Sequence, residues 1–323
     1  MTLLEVFRRY RRIVADGDFD GVAAAILLGH ALGPVEVEFP APQDTAPRSG
    51  VIVIERPERA GADSVVIDHH AEGNEGYVVL PSGERLSFGP KGSVASLVAE
   101  ILEREGVELP EELRELVRYA DIIDSTPPAR VADALASAGL KPRVYSGYRM
   151  LIANPVWRRE IAARLARGDA VDAADYMLEL FAMAGAVADE LVPAVAEEIA
   201  GRAKVVETGK GPLVIFPVYY GERIEYLDGL EVDLEQAAMK AAQGVLEKRY
   251  PDAAAIVAYI HSPQGNGLSI SSPKGIAAAI ATALRDRGLA ASGGGRPNVA
   301  GAQRVTFSYE EAPEILRRII DEL

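Results

Sequence analysis

Seven residues constrain this chain more than any others: Ser64-Val65-Val66-Ile67-Asp68-His69-His70. Three β-branched apolar residues running into a carboxylate and two imidazoles describe a buried parallel strand with chemistry at its end. In an open α/β sheet, ligands collect beyond the carboxyl ends of the strands. The chain holds 4 histidines in 323 residues, and two of them are adjacent here. A second apolar strand, Arg12-Ile13-Val14-Ala15, runs into Asp16-Gly17-Asp18-Phe19-Asp20-Gly21, and an amphipathic helix is expected from Val22 onward. Two strand ends rich in carboxylate and imidazole read as two walls of one metal site.

The remaining pattern supports an α/β fold. A helix is expected at 3–10, strands at 11–16, 35–39, 51–55 and 64–68, and helices at 20–32, 93–102 and from Pro110 to Asp124. Strands so spaced indicate a doubly wound parallel sheet. A long helical stretch from Asp172 to Arg202, interrupted only by Gly185 and Pro193, reads as a connector, with a kink expected at the proline. Beyond it come strands at 204–208, 212–218, 254–261, 268–271 and 304–308, helices at 233–249, 275–287 and 310–322, and a glycine loop. The expected organisation is a first α/β domain at 1–170, a helical connector at 171–202 and a smaller α/β domain at 203–323.

That glycine loop completes a pattern. Asp16-x-Asp18-x-Asp20-Gly21 followed by a strand ending in Asp68-His69-His70 resembles the DHH phosphoesterase superfamily, most of all its RecJ-like exonucleases. Gly293-Gly294-Gly295-Arg296-Pro297-Asn298-Val299-Ala300-Gly301 resembles the glycine-rich loop of the DHH-associated substrate-binding domain. The resemblance runs in the right order over nearly the whole chain. It implies a DHH catalytic domain joined by the long helix to a substrate-binding domain.

The resemblance also implies roles. Asp16 would hold one metal and Asp18 a second, with Glu55 bridging them and His69 ligating the second. Asp68 would orient the imidazoles, and His70 would contact the scissile phosphate. A further carboxylate would come from Asp124 or Asp121, with the placement of Leu116-Val117-Arg118-Tyr119-Ala120 against the RecJ pattern slightly favouring Asp124. Gly293, Gly294, Gly295, Arg296, Asn298 and Ser271 would bind substrate. Mixed carboxylate and imidazole ligands suit manganese, as two ions or one, with magnesium a weaker substitute. Three positions depart from the family pattern. Glu55 stands where relatives have aspartate, the first-motif histidine is missing (Val14 or Arg12 occupies its place), and Arg296 replaces the histidine of the glycine loop.

Composition limits the partners. A formal net charge of −14 argues against coating long nucleic acid, which basic surfaces achieve by releasing counterions. A short polyanion held by a few arginines and metal ions is compatible. Absence of cysteine excludes disulfide and thiolate chemistry and fits a cytoplasmic setting. No apolar run approaches the ~20 residues of a membrane span, and the N-terminal apolar stretch is too short for a signal peptide. His30 and His261 read as structural. The expected activity is manganese-dependent hydrolysis of phosphodiester bonds in short single-stranded nucleic acid or small nucleotides. The alternative is a catalytically reduced RecJ-like subunit binding a replication protein. Oligomeric state is left open.

Overall fold

Runs of β-branched residues build the first sheet, as their preference for a pleated, half-buried surface requires. The computed structural model describes residues 2–41, 44–70, 75–127, 130–152, 154–220, 223–227, 230–263 and 265–323. Its contacts separate two units, Met1–Tyr148 with Asn154–Ala186, and Arg149–Ala153 with Val187–Leu323.

The first unit begins with α1 (Leu3–Phe7), β1 (Arg12–Ala15), α2 (Phe19–Leu32), β2 (Glu36–Glu38), β3 (Ile52–Ile54), β4 (Val65–Asp68), β5 (Glu75–Val79) and β6 (Arg85–Pro90). There follow α3 (Val94–Arg104), α4 (Glu111–Ser125), α5 (Val131–Ser137), α6 (Arg143–Leu151), α7 (Val156–Arg167) and α8 (Ala170–Gly201). The strand order is β2-β1-β3-β4-β5-β6. The first four strands are parallel, and β5 and β6 extend the sheet as an antiparallel hairpin. The α/β expectation holds, with a mixed sheet. The added hairpin escaped the sequence pattern because its apolar run is only Tyr77-Val78-Val79-Leu80.

Val14, Val53 and Val66 lie in register across the sheet and form one apolar cluster with Val51 and Tyr77. Helix α2 packs against β1 and β3 and is flanked by α3, α4 and α7. Phe19 to Gly29 are buried without a break, so α2 is apolar all round and not amphipathic as expected. Helices α6 and α8 approach through glycines. A Cβ at Gly147 would stand 1.8 Å from the Phe181 carbonyl oxygen, and one at Gly185 1.9 Å from that of Arg143. Pro193 lies within α8. No helix among the described residues is long and apolar enough to cross a membrane.

The second unit contains β7 (Lys204–Val206), β8 (Leu213–Tyr219), β9 (Arg223–Leu227), β10 (Leu230–Asp233), α9 (Leu234–Arg249), β11 (Ala255–His261) and β12 (Gly267–Ser271). It closes with α10 (Ala277–Asp286), β13 (Ser292–Gly295), β14 (Val299–Gln303) and α11 (Ala312–Glu322). Its main sheet has the order β13-β14-β12-β11-β8-β7, and β9-β10 is a separate hairpin. One apolar layer joins Leu213, Ile215, Val257 and Ile270 to α10 and α11. The other joins Val214, Phe216, Val218 and Ile256 to α9 and the end of α8.

Two sequence expectations are corrected here. The glycine loop is the edge strand β13, and its turn lies at 296–298. The strand expected at 304–308 lies earlier, at Val299–Gln303. Val305, Phe307 and Tyr309 do alternate inward to the core, but Arg304 is left-handed (φ 51) and the segment pairs with no strand. The expected turn at 263–265 includes residue 264, which lies outside the described residues.

Candidate metal centre

Register brings the acids together. Ala15 pairs with Ile54 and Ile54 with Ile67, so Asp16, Glu55 and Asp68 follow at one level on three neighbouring parallel strands. Adjacent strands are about 4.8 Å apart, which puts the carboxylates in one another's field. Asp18 is the N-cap of α2, accepting from the Gly21 amide at 2.9 Å. Asp20, in the first turn of α2, is 3% exposed and accepts from the Val94 and Ala95 amides of α3 at 2.7 and 2.9 Å.

His69 is the centre of this cluster. Its ring is 1% exposed, and Nε2 lies 3.5 Å from Asp20 Oδ2, 3.6 Å from Glu55 Oε1 and 3.6 Å from Asp124 Oδ2. Among the described residues, neither ring nitrogen is within normal hydrogen-bond geometry of a partner, nor is Glu55 Oε2. Glu55 itself is left-handed (φ 66), which is strained for a side-chain-bearing residue and frees its carboxylate from the alternation of β3. A Cβ at Gly21 would stand 2.7 Å from Glu55 Oε2, so the glycine leaves room for the longer acid.

Asp68 is occupied differently. Its Oδ1 accepts from the His69 amide at 2.7 Å, the His70 amide at 3.1 Å and His70 Nδ1 at 2.8 Å, while Oδ2 accepts from the Tyr77 hydroxyl at 2.8 Å. It therefore orients the His70 ring but not that of His69. Burial pushes the Asp68 carboxyl up, but the bonds from His70 and Tyr77 outweigh it and leave it below its ordinary range. His70 is raised by that same bond, and half of its side chain remains exposed.

The other groups are shifted as a crowded buried cluster requires. Burial, and then the charge of Asp16, pushes Asp18 up to about 6. Burial and neighbouring carboxylates raise Asp20 and Glu55 well above the usual range. Burial and the neighbouring His70 lower His69, which favours the neutral ring with one nitrogen lone pair free to act as a ligand.

Of the two acids on α4, Asp124 reaches the cluster and Asp121 does not. Asp121 Oδ1 accepts from the Ser93 hydroxyl at 2.5 Å, at the start of α3. Asp16 lies beside two arginines, Arg56 and Arg59, each at 3.7 Å. Arg59 is fully buried, donating to the carbonyls of Asp44 and Ala41 at 2.8 and 3.1 Å. Arg158 donates to the Gly17 carbonyl at 2.9 Å. Sequence reasoning did not assign Asp20 or these arginines to the site. Asp20 was visible as the third acid of its motif, and Arg56 and Arg59 as arginines closely following Glu55. Arg158 had no local signal. Neither place considered for the missing histidine faces the cluster: Val14 belongs to the apolar core, and Arg12 pairs with Glu36 and Glu38.

The donor set fits a divalent cation. Asp20, His69 and Asp124 can each offer an atom within 4.8 Å of the others, and so can Glu55, His69 and His70. Unpartnered buried nitrogen and oxygen atoms beside several carboxylates form an electrostatically unfavourable group that a hard cation relieves.

In the second unit, the remaining candidates surround the β13–β14 hairpin. Gly293 packs against the Ala281 carbonyl and Gly295 against Ala300, whereas Gly294 faces open space. Arg296 and Asn298 are exposed on the turn, closed by the Arg296 amide donating to the Val299 carbonyl at 2.8 Å. The Ser271 hydroxyl donates to Glu247. A cleft of about 470 Å³ is lined by Leu268, Gly293, Gly294 and Gly301, among others.

No protein-family model matches the chain, and no curated protein does. Solved structures do. A pGpG-specific phosphodiesterase from Vibrio cholerae aligns over 97% of this chain and 98% of its own, with TM-score 0.52 and 19% identity. RecJ from Thermus thermophilus, solved with Mn2+, aligns over 99% of this chain with TM-score 0.54 and 17% identity; this chain spans 53% of it. An exopolyphosphatase-related protein from Bacteroides fragilis aligns over 99% of this chain and 94% of its own, with TM-score 0.54 and 13% identity. The fold is that of the DHH phosphoesterases. On that fold, the strand ends of this chain carry Asp16, Glu55, Asp68 and His69.

Proposed function

We propose that the chain is a divalent-metal-dependent phosphoesterase that hydrolyses phosphodiester bonds in short single-stranded nucleic acid or small nucleotides. The observation that carries this reading is His69 Nε2, buried, unbonded and within 3.6 Å of three carboxylates beyond the ends of parallel strands. Asp20, Asp124, Glu55 and His69 would hold one manganese or magnesium ion, and Asp16 and Asp18, with Glu55 between, would hold a second. Such a cation supplies Lewis-acid polarisation of a phosphoryl oxygen and a lowered pKa for an attacking water.

The protein's own groups do the remaining work. Asp68 holds the His70 Nδ1 proton, which fixes the ring and favours its charged form. Charged His70 then stabilises negative charge on a phosphate, with Nε2 able to pass a proton to a leaving oxygen. Arg56 and Arg59 confine the Asp16 carboxylate and offset part of the acidic charge. In the second unit, the free face of Gly294 and the Arg296 guanidinium would hold a part of the substrate away from the reacting bond, Arg296 through paired donors suited to phosphate. Asn298 lies on the same turn. Ser271 contributes only if its hydroxyl leaves Glu247.

The test is a manganese titration of the full chain and of Asp18→Ala, followed by turnover of a labelled dinucleotide. The parent should bind manganese at micromolar concentration and cleave, and Asp18→Ala should fold normally and lose turnover. A parent that takes up no metal would refute the reading.

A further inference from the structure

Guanidinium groups gather on one flank of the acidic cluster, around the loop from β1 to α2. Arg56 and Arg59, in the short turn after β3, each bring Nη1 to 3.7 Å from the same oxygen, Asp16 Oδ1. That oxygen also accepts from the Gly17 amide at 3.1 Å. Arg158 on α7 donates to the Gly17 carbonyl at 2.9 Å, and a Cβ on Gly17 would stand 3.1 Å from Arg158 Cδ. Arg59 is the most firmly held of the three. It is fully buried, with Nε on the Asp44 carbonyl at 2.8 Å and Nη2 on the Ala41 carbonyl at 3.1 Å. Both acceptors are neutral, and its ion-pair partner among the described residues is Asp16. Arg56 is shared between Asp16 and Glu58, the latter at 2.5 Å.

The opposite flank is built differently. The ion pairs of Asp20, Glu55 and Asp124 run to His69 and, among the described residues, to no arginine or lysine. A dication entering there meets acids and an imidazole. At Asp16 it meets a carboxylate already facing two permanent positive charges, because a guanidinium keeps its proton at any working pH. Like charges at this range oppose the ion, and the burial of Arg59 removes the water that would screen it. A phosphate group reverses the balance. Its negative oxygens attract guanidinium and metal ion alike, so the two can then occupy one flank together.

We propose that Arg59 and Arg56 order the filling of the metal centre: the His69 flank takes its ion in the free protein, and the Asp16 flank takes the second only together with a phosphate group. This rests on the phosphoesterase reading, which assigns Asp16 to the second ion. Arg59 is a positioning residue, since it is closed off from solvent and acts through Asp16. Arg56 adds its charge from a partly exposed place beside the same carboxylate. The complete centre is then assembled when a phosphate arrives and is half-filled otherwise.

Manganese binding to the metal-free full chain, counted by electron paramagnetic resonance with and without inorganic phosphate, tests this apart from any turnover. The parent should take one ion at micromolar concentration and a second about tenfold more weakly or worse, and phosphate should close that gap. Arg59→Met and Arg56→Gln should each tighten the second ion by about tenfold or more in the absence of phosphate. Arg59→Lys, which keeps the charge, should behave as the parent. Melting temperatures would identify a variant that fails to fold, and Arg56→Gln, at a partly exposed position, carries the test if Arg59→Met is that variant. Two ions bound equally tightly by the phosphate-free parent, or a second ion unchanged in the folded variants, would overturn the ordering. So would a parent that takes one ion and no second even with phosphate. The two proposals fail separately: a parent that takes up no manganese loses the phosphoesterase reading and the ordering with it. A parent that binds two ions and cleaves, with its second ion indifferent to phosphate and to both arginines, loses only the ordering.

Discussion

Glu55 is the residue on which the site's geometry turns. The resemblance to RecJ-like proteins would put an aspartate there, while the left-handed backbone at 55 and the space beside Gly21 accommodate the longer side chain. Glu55→Asp should therefore lower kcat/KM, by roughly a hundredfold for a displacement near 1 Å; a faster variant would show that the adaptation is not functional. The crowding of acids also gives a stability signature. Asp18 rises from its ordinary 3.8 to about 6, and Asp20 and Glu55 are raised as well. Groups raised in the folded state favour folding below their unfolded pKa, and that contribution is lost as pH climbs through the folded value. The metal-free melting temperature should thus fall between about pH 4 and pH 7, and saturating manganese should reduce or reverse the fall; a flat metal-free profile would contradict the assigned burial. Asp16, Asp18, Asp68, His69 and His70 stand out in the sequence because short motifs mark the strand ends, and the register of the strands places Asp16, Glu55 and Asp68 at one level. The resemblance favours Asp124 over Asp121 only slightly, since both lie on α4 about one turn apart; the fold adds that Asp121 is engaged by Ser93 at the start of α3 while Asp124 lies beside His69.

At the scale of elements, most strands and helices could be read from apolar period alone, and the failures have physical causes. The segment at 304–308 carries a strand's alternation because its apolar residues enter the core, but Arg304 turns the backbone before any ladder can form. Gly293 to Gly295 read as a loop because three glycines carry no pattern; they pair with β14 because Gly293 and Gly295 lie too close to neighbours to carry side chains. The same reasoning explains Gly185, an apparent interruption in α8. It and Gly147 are contact points where two helices meet through backbone. Gly147→Ala should cost about 1–3 kcal/mol by overpacking, or more if α6 cannot shift, seen as a lower denaturant midpoint at unchanged slope. Stability equal to the parent would mean that the helices can separate freely.

For the molecule as a whole, charge sets what can approach. A net −14 disfavours the approach of a long polyanion on the whole, whereas a short one is held mainly by the arginines and metals of the proposed site. Cleavage of two- to five-nucleotide substrates should exceed that of long single strands in kcat/KM by about tenfold at low ionic strength, with the gap narrowing as salt shortens the Debye length. A preference for long strands at every salt concentration would refute this. The order of the units along the chain has a separate consequence. Residues Arg149–Ala153 belong to the second unit, although both flanking segments belong to the first, and α8 is shared at Ala186 and Val187. The chain is interlaced, and no single cut yields the second unit intact. A fragment beginning at Val187 would lack Arg149–Ala153, which are synthesised well before the rest of their unit. The far unit is therefore finished late in synthesis, by contacts of long sequence separation, and is inherited whole or not at all when the chain is shuffled or truncated.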